Sequence, residues 1–198
     1  MKVRAPSESL LRRALENARD AAFTYPEVGA TRTAELPDGY RVDRYERSLG
    51  SADGCFERAV AALRHWQAHI GAGVRIYPPG ATVETGGPVL FVVRTLGLWP
   101  VLPCRVVYTV ESESWFAFAY GTLPGHLECG EVAMSVERGD GGEVVARILS
   151  FSKTVDPLAR AAGPVARRFQ TRFTNGYLDA LETASQASTS PSQRSASK

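Results

Sequence analysis

His126, Glu128 and Glu131 stand close together in FAYGTLPGHLECGE, residues Phe118 to Glu131. A histidine beside carboxylates is the raw material of general acid–base chemistry near neutral pH, because a neighbouring carboxylate stabilises the imidazolium. Pro124-Gly125 turns the chain just before the histidine. The group therefore falls where an aromatic strand ends and the next strand begins. If that turn closes over the mouth of a cavity, the three side chains meet a substrate. If it does not, they solvate a hairpin, and the sequence permits both readings.

A second set of polar residues lies within strands of otherwise apolar character: Arg105, Tyr108, Tyr120, Arg147 and Lys153. An arginine on the concave side of a sheet must pair with a carboxylate or bind an anionic ligand group, since an isolated buried charge is very costly. On the other side it simply faces water. Tyr108 and Tyr120 can donate to a ligand carbonyl, or serve as core aromatics with a wet tip. Trp66, Trp99, Trp115, Phe116 and Phe118 read most simply as core.

Metal and cofactor chemistry find little support. His126, Cys129 and a glutamate supply three ligand types, but at no zinc-like spacing. His65 and His69 form an i, i+4 pair with no acid or thiol nearby to complete a set. Cys104 and Cys129 read as small buried hydrophobes rather than nucleophiles. No G-x-S-x-G elbow, P-loop or helix-opening G-x-G-x-x-G occurs, so no cofactor and no metal are expected.

The bulk numbers bound the partners. The 198 residues suffice for one domain with a proper core. The 23 Lys and Arg against 21 Asp and Glu leave a net charge of +2, too small to point to nucleic acid. Arg160, Arg167, Arg168 and Arg172 make a basic helix face, but no aromatic stacking motif accompanies it. Three scattered cysteines do not make a disulfide framework, which fits a reducing cytoplasm. The N-terminus carries charges where a signal peptide needs an apolar stretch, and no apolar run approaches the roughly 20 residues of a membrane span. A homodimer is left open.

The elements that must position these residues follow from periodicity. Leu10, Leu11, Ala14, Leu15 and Ala18 predict a helix over 7–22. GYRVDRYERSLG predicts a polar edge strand. Ser51 or Asp53 is expected to cap a helix that runs to about Ile70 and stops at Gly71, with Phe56, Ala59, Val60, Leu63, Trp66, Gln67 and Ile70 on its apolar side. From Gly73 to Val155, five or more strands follow one another through short turns, so the sheet should be mostly antiparallel. RGDGGE predicts a hairpin. In EVAMSVE, Val132, Met134 and Val136 should face a dry side, with Glu131, Ser135 and Glu137 on a wet one. Asp156-Pro157 predicts a helix start. A long helix bent at Gly163-Pro164 then reaches about Leu181. Residues 185–198 are small and polar and read as a disordered tail behind a single domain over 1–184. This order predicts an α+β, helix-grip fold: a curved antiparallel sheet around a long C-terminal helix, with a mainly apolar cavity between them.

The stretches FTYPEVGAT, PCRVVY, FAYGTLPGHLECGE and FSKTVDPLARAAGPVARRFQTRFTNGYLDAL resemble a bacterial and plant family known only as a domain of unknown function. That family is grouped near the START-like, Bet v 1-like (SRPBCC) superfamily of helix-grip folds. YGTLPGH followed by Glu carries the likeness. Leu127 and Val132 stand where the family pattern more often has Pro and Glu. The resemblance implies a fold and a pocket and supplies no reaction. START-like proteins include lipid and hormone carriers as well as cyclases, so fold analogy permits binding and catalysis alike.

Two functions are expected on that cavity. The first is binding of an apolar or amphipathic small molecule. The alternative is a cofactor-independent cyclase, lyase or hydrolase, with His126 as acid/base, Glu128 or Glu131 tuning it, and Tyr120 or Arg105 polarising a carbonyl. A third class, a partner-binding module using the N-terminal helix, also fits.

Overall fold

The computed structural model describes residues 4–33, 35–95, 97–155 and 163–186, with side chains in the last stretch from Thr171 onward. Seven strands form one antiparallel sheet: β1 (Arg41–Gly50), β2 (Arg75–Tyr77), β3 (Pro88–Val92), β4 (Val101–Glu111), β5 (Trp115–Thr122), β6 (Glu128–Arg138) and β7 (Val144–Thr154). Their spatial order is β1-β7-β6-β5-β4-β3-β2. From β2 to β7 each strand lies beside the next in sequence, as short turns between amphipathic strands dictate. β1 instead pairs with β7 and forms the polar edge that its charged sequence predicts. The RGDGGE hairpin closes through Gly139 and Glu143, with Gly142 at φ 84°.

The two faces of the sheet carry different elements. On the inner face, α2 (Cys55–Arg64), α3 (Gln67–Gly71) and the C-terminal helix α4 (Gly163–Gln186) bury one continuous core. Phe116, Phe118, Met134, Val136 and Ile148 from the strands meet Phe56, Leu63, Leu178 and Leu181 from the helices and Trp66 from the link between α2 and α3. Arg47 of β1 ties down α4 through Asp179 and Glu182. On the outer face, α1 (Glu8–Asp20), capped by the Ser7 hydroxyl, lays Leu11 and Ala18 against Leu90, Val92 and Leu123.

The expected continuous helix to Ile70 is in fact two. Trp66 adopts φ 57°, a left-handed conformation unusual for a bulky residue. The break swings its indole into a nest of Phe91, Phe118 and Tyr120, with ring centroids 5.3–5.8 Å away. It also re-aims α3, so Gln67 and Ile70 are exposed and His69 is buried. The helix cap differs too: Gly54 occupies the N-cap of α2, and neither Ser51 nor Asp53 supplies a side-chain bond. Trp115 is exposed rather than core, and Trp99 packs half-buried beside α1.

The expected helix start at Asp156-Pro157 lies outside the described residues; of the expected tail 185–198, Ser185 and Gln186 instead belong to α4, with Ser185 buried, and the rest lies outside the described residues. α4 extends past Leu181 to Gln186. Among the described residues no helix is long and apolar enough to cross a membrane.

Candidate functional site

The pairing register arranges the inner face in rows across the strands, because directly opposed residues point the same way. One row holds Tyr45, Ile148, Met134 and Phe118. The next holds Asp43, Ser150, Val132, Tyr120 and Val106. Beyond it come Arg41, Ser152 and Gly130, and then Thr154 opposite Glu128. The inner face thus grades from a packed apolar half to a polar half. Val132, Ser150 and Ser152 there are only half-buried. Arg41 and Asp43 form an ion pair at 2.7 Å on the same end.

At the boundary of the two halves sits a polar pair. His69 Nε2 is 3.2 Å from the Tyr120 hydroxyl, and His69 is only 1% exposed. Its ring lies against Trp66, Phe91, Tyr120 and Tyr177, with the Tyr177 centroid at 4.4 Å. Burial drives the His69 pKa down to about 3, so the imidazole is neutral. Burial, helped by Tyr177, Cys104 and the negative charge of Glu128, holds the Tyr120 phenol well above its ordinary range. Among the described residues, His69 Nδ1 and Trp66 Nε1 have no hydrogen-bond partner. An orphaned buried polar atom costs about 1–3 kcal/mol, which makes two side by side worth explaining. In the sequence His69 stands out only as half of an i, i+4 pair with His65. The broken helix that buries it leaves no simple periodic signal.

The opening triad does not assemble as one cluster. His126 Nδ1 accepts from the Glu128 amide at 3.0 Å, folding the ring back over its own turn. The Glu128 carbonyl, 3.1 Å from the same nitrogen, would favour a protonated ring, but burial outweighs it and lowers the His126 pKa to about 4. Glu128 and Glu131 are three residues apart on one strand and so project from opposite faces. Glu128 lies on the inner side near Tyr120 and Tyr177.

Glu131, expected on a wet face, is 1% exposed beneath the segment 23–33. Its carboxylate accepts from the Tyr25 hydroxyl (2.7 Å), the Gly29 amide (2.7 Å), the Thr31 amide (3.1 Å) and the Thr31 hydroxyl. Thr31 has one proton and gives it to Glu131, so the Tyr108 hydroxyl must donate to Thr31, at 2.9 Å. Four donors fill the roughly four acceptor positions of a carboxylate. Glu131 is a saturated anchor, with no capacity left for a substrate proton.

Of the five strand residues singled out by sequence, the structure brings only Tyr120 to the inner face. A bulge between Val106 and Tyr108 turns Tyr108 outward, opposite Ala119, where Arg32 stacks on its ring at 4.1 Å. Arg105 donates to the carbonyls of Ala18 and Arg19 at the end of α1. Arg147 bridges Glu46 and Glu137 across neighbouring strands on the outer face. Lys153 lies 4.3 Å from the Tyr40 ring centroid. Among the described residues no three His, Cys, Asp or Glu side chains gather as metal ligands would. The cysteines 55, 104 and 129 are buried thiols.

Known proteins place this geometry in context. A "UPF0548 protein" of Deinococcus radiodurans is 31% identical over 192 residues, covering 92% of this chain and 97% of its own. A "UPF0548 protein" of Arabidopsis thaliana is 32% identical over 150 residues, 73% of each chain. Among solved structures, the protein TTHA0849 of Thermus thermophilus matches with a TM-score of 0.56 at 13% identity, covering 76% of this chain and 100% of its own. The protein Ara h 8.0201 matches with a TM-score of 0.51 at 12% identity, over 74% of this chain and 98% of its own. Such identities speak to fold alone, and they fit a helix-grip arrangement of sheet and C-terminal helix. A family profile described as "Domain of unknown function (DUF1990)" spans residues 24–180, from the Tyr25 segment through the Glu131 anchor and into α4, and the chain belongs to that family.

Proposed function

We propose that this protein binds an apolar or amphipathic small molecule between the inner face of the sheet and α4. The observation that carries this reading is the graded inner face. Its packed half ends at Tyr120 and His69, and its other half is lined by half-buried Val132, Ser150 and Ser152, with Asp43, Arg41 and Glu128 beyond. A core built only for stability has no need of small polar residues on its helix-facing side. A ligand with an apolar body and a polar end matches the gradient. Apolar burial would supply affinity at about 25 cal/mol per Å², less the cost of association.

Support also comes from where the other candidates lie. Arg105, Tyr108, Arg147 and Lys153 are engaged on the outer face, so they hold the scaffold. A catalytic role for His126 would have to run through Nε2 alone, because Nδ1 is engaged by the turn. The test is native mass spectrometry of protein purified from its own host, followed by thermal-shift screening with lipids, isoprenoids and aromatic polyketides. A co-purified small molecule whose addition raises Tm is the expected result. Protein that carries nothing and shifts with no compound class would overturn the reading.

A further inference from the structure

We infer that Tyr120, held in place by His69, reads an uncharged hydroxyl or carbonyl group on the buried end of the ligand. This rests on the binding reading above and adds the chemistry of the guest. A phenol offers one proton and two lone pairs, and His69 takes up one of these at 3.2 Å. The remaining capacity belongs to a residue that borders the packed half and shares its row with the half-buried Val132 and Ser150.

The surroundings favour a neutral guest. Trp66, Phe91, Phe118 and Tyr177 are the rings around the pair, and no cation among the described residues touches it. An anionic ligand group seated there would lose its hydration, gain no counterion and meet the negative charge of Glu128, which strongly disfavours it. A hydroxyl or carbonyl carries no such penalty and can exchange its water for the phenol. Either direction of donation works. With its proton on Nε2, His69 donates to Tyr120, which then donates to a ligand carbonyl or hydroxyl. With the proton on Nδ1, Tyr120 donates to His69 and accepts from a ligand hydroxyl. The pair therefore selects against negative charge while accepting both polarities of neutral hydrogen bond. The orphaned His69 Nδ1 and Trp66 Nε1 lie in the same ring cluster, their centroids 5.0 Å apart.

The experiment compares three probes of one shape: naphthalene, 2-naphthol and 2-naphthoate at pH 7, with Kd read by ligand-observed NMR on the full chain. The expected order is 2-naphthol tightest, naphthalene about fivefold weaker for one lost neutral hydrogen bond, and 2-naphthoate weakest. Tyr120→Phe, which keeps the ring contacts, should bring 2-naphthol down to the level of naphthalene and leave naphthalene unchanged. If that variant fails to fold, the wild-type order alone decides. Equal binding of naphthalene and 2-naphthol overturns the Tyr120 inference and leaves the binding reading standing. Tightest binding by 2-naphthoate overturns it as well. Failure of all three probes to bind overturns the inference, while the reading beneath it is decided by the native mass spectrometry and thermal-shift screen.

Discussion

The Tyr25 hydroxyl donates to the Glu131 carboxylate at 2.7 Å, across 106 residues of sequence. With the Gly29 and Thr31 donors, this contact clasps segment 23–33 to the outer face of β6. Both halves of this joint, the Tyr25–Thr31 stretch and Glu131, lie within the span 24–180 that matches the family.

Replacing Glu131 with Ala should strand four donors, two of them backbone amides. Removing one member of a buried charged network typically costs about 3–5 kcal/mol. Urea denaturation should show a loss on that scale. Hydrogen exchange should quicken in 23–33 before it does so in the β6–β7 ladder. A loss below about 1 kcal/mol would mean the clasp is not a stabilising joint.

Gly121 makes room for the clasp. A Cβ at this position would sit 2.0 Å from the Tyr25 hydroxyl oxygen. Gly121→Ala should therefore displace Tyr25 and cost about 1–3 kcal/mol, as overpacking does. In a Tyr25→Ala background the same substitution should cost much less. A double-mutant cycle on Tm or urea midpoints checks this, and additive effects would refute the steric coupling.

Arg105 is placed to hold α1 rather than a ligand. Its guanidinium caps the carbonyls of Ala18 and Arg19 that the helix end leaves unpaired. Arg105→Ala should cost about 1–2 kcal/mol and loosen α1 selectively in hydrogen exchange. Small-molecule affinity should not change, since the side chain lies on the outer face.

His69 and His126 are both held neutral by burial, with pKa values of about 3 and about 4 against an ordinary 6.5. The unfolded chain therefore binds more protons as pH falls below 6.5. Stability from these groups is fully present above that pH and declines as acid approaches the folded values. Between pH 6.5 and 5 each histidine adds up to about 1.4 kcal/mol per pH unit to the slope. Denaturation midpoints across this window should show it, and His69→Gln should remove roughly half. A flat profile would contradict the burial of both rings.

Much of the scaffold was legible because it rests on local rules. The Leu10–Ala18 stripe, the alternation in EVAMSVE and the RGDGGE turn each specify their element through one repeating period or one turn chemistry. The site was less legible. His126, Glu128 and Glu131 are neighbours in sequence, but a strand sends 128 and 131 to opposite faces, and the turn engages His126 Nδ1. Tyr108 and Tyr120 looked equivalent until the bulge in β4 sent Tyr108 to the outer side.

By itself, the sequence determined an α+β chain of antiparallel strands with a long C-terminal helix, because periodicity and turns are properties of short segments. Only the tertiary structure decided that Glu131 is an anchor and that His69 meets Tyr120. Those roles depend on a left-handed residue at Trp66, a strand bulge after Val106 and a segment folded over β6 from more than a hundred residues away. Burial and hydrogen-bond partnership across such distances are set by the packing of whole elements, and no local pattern encodes them.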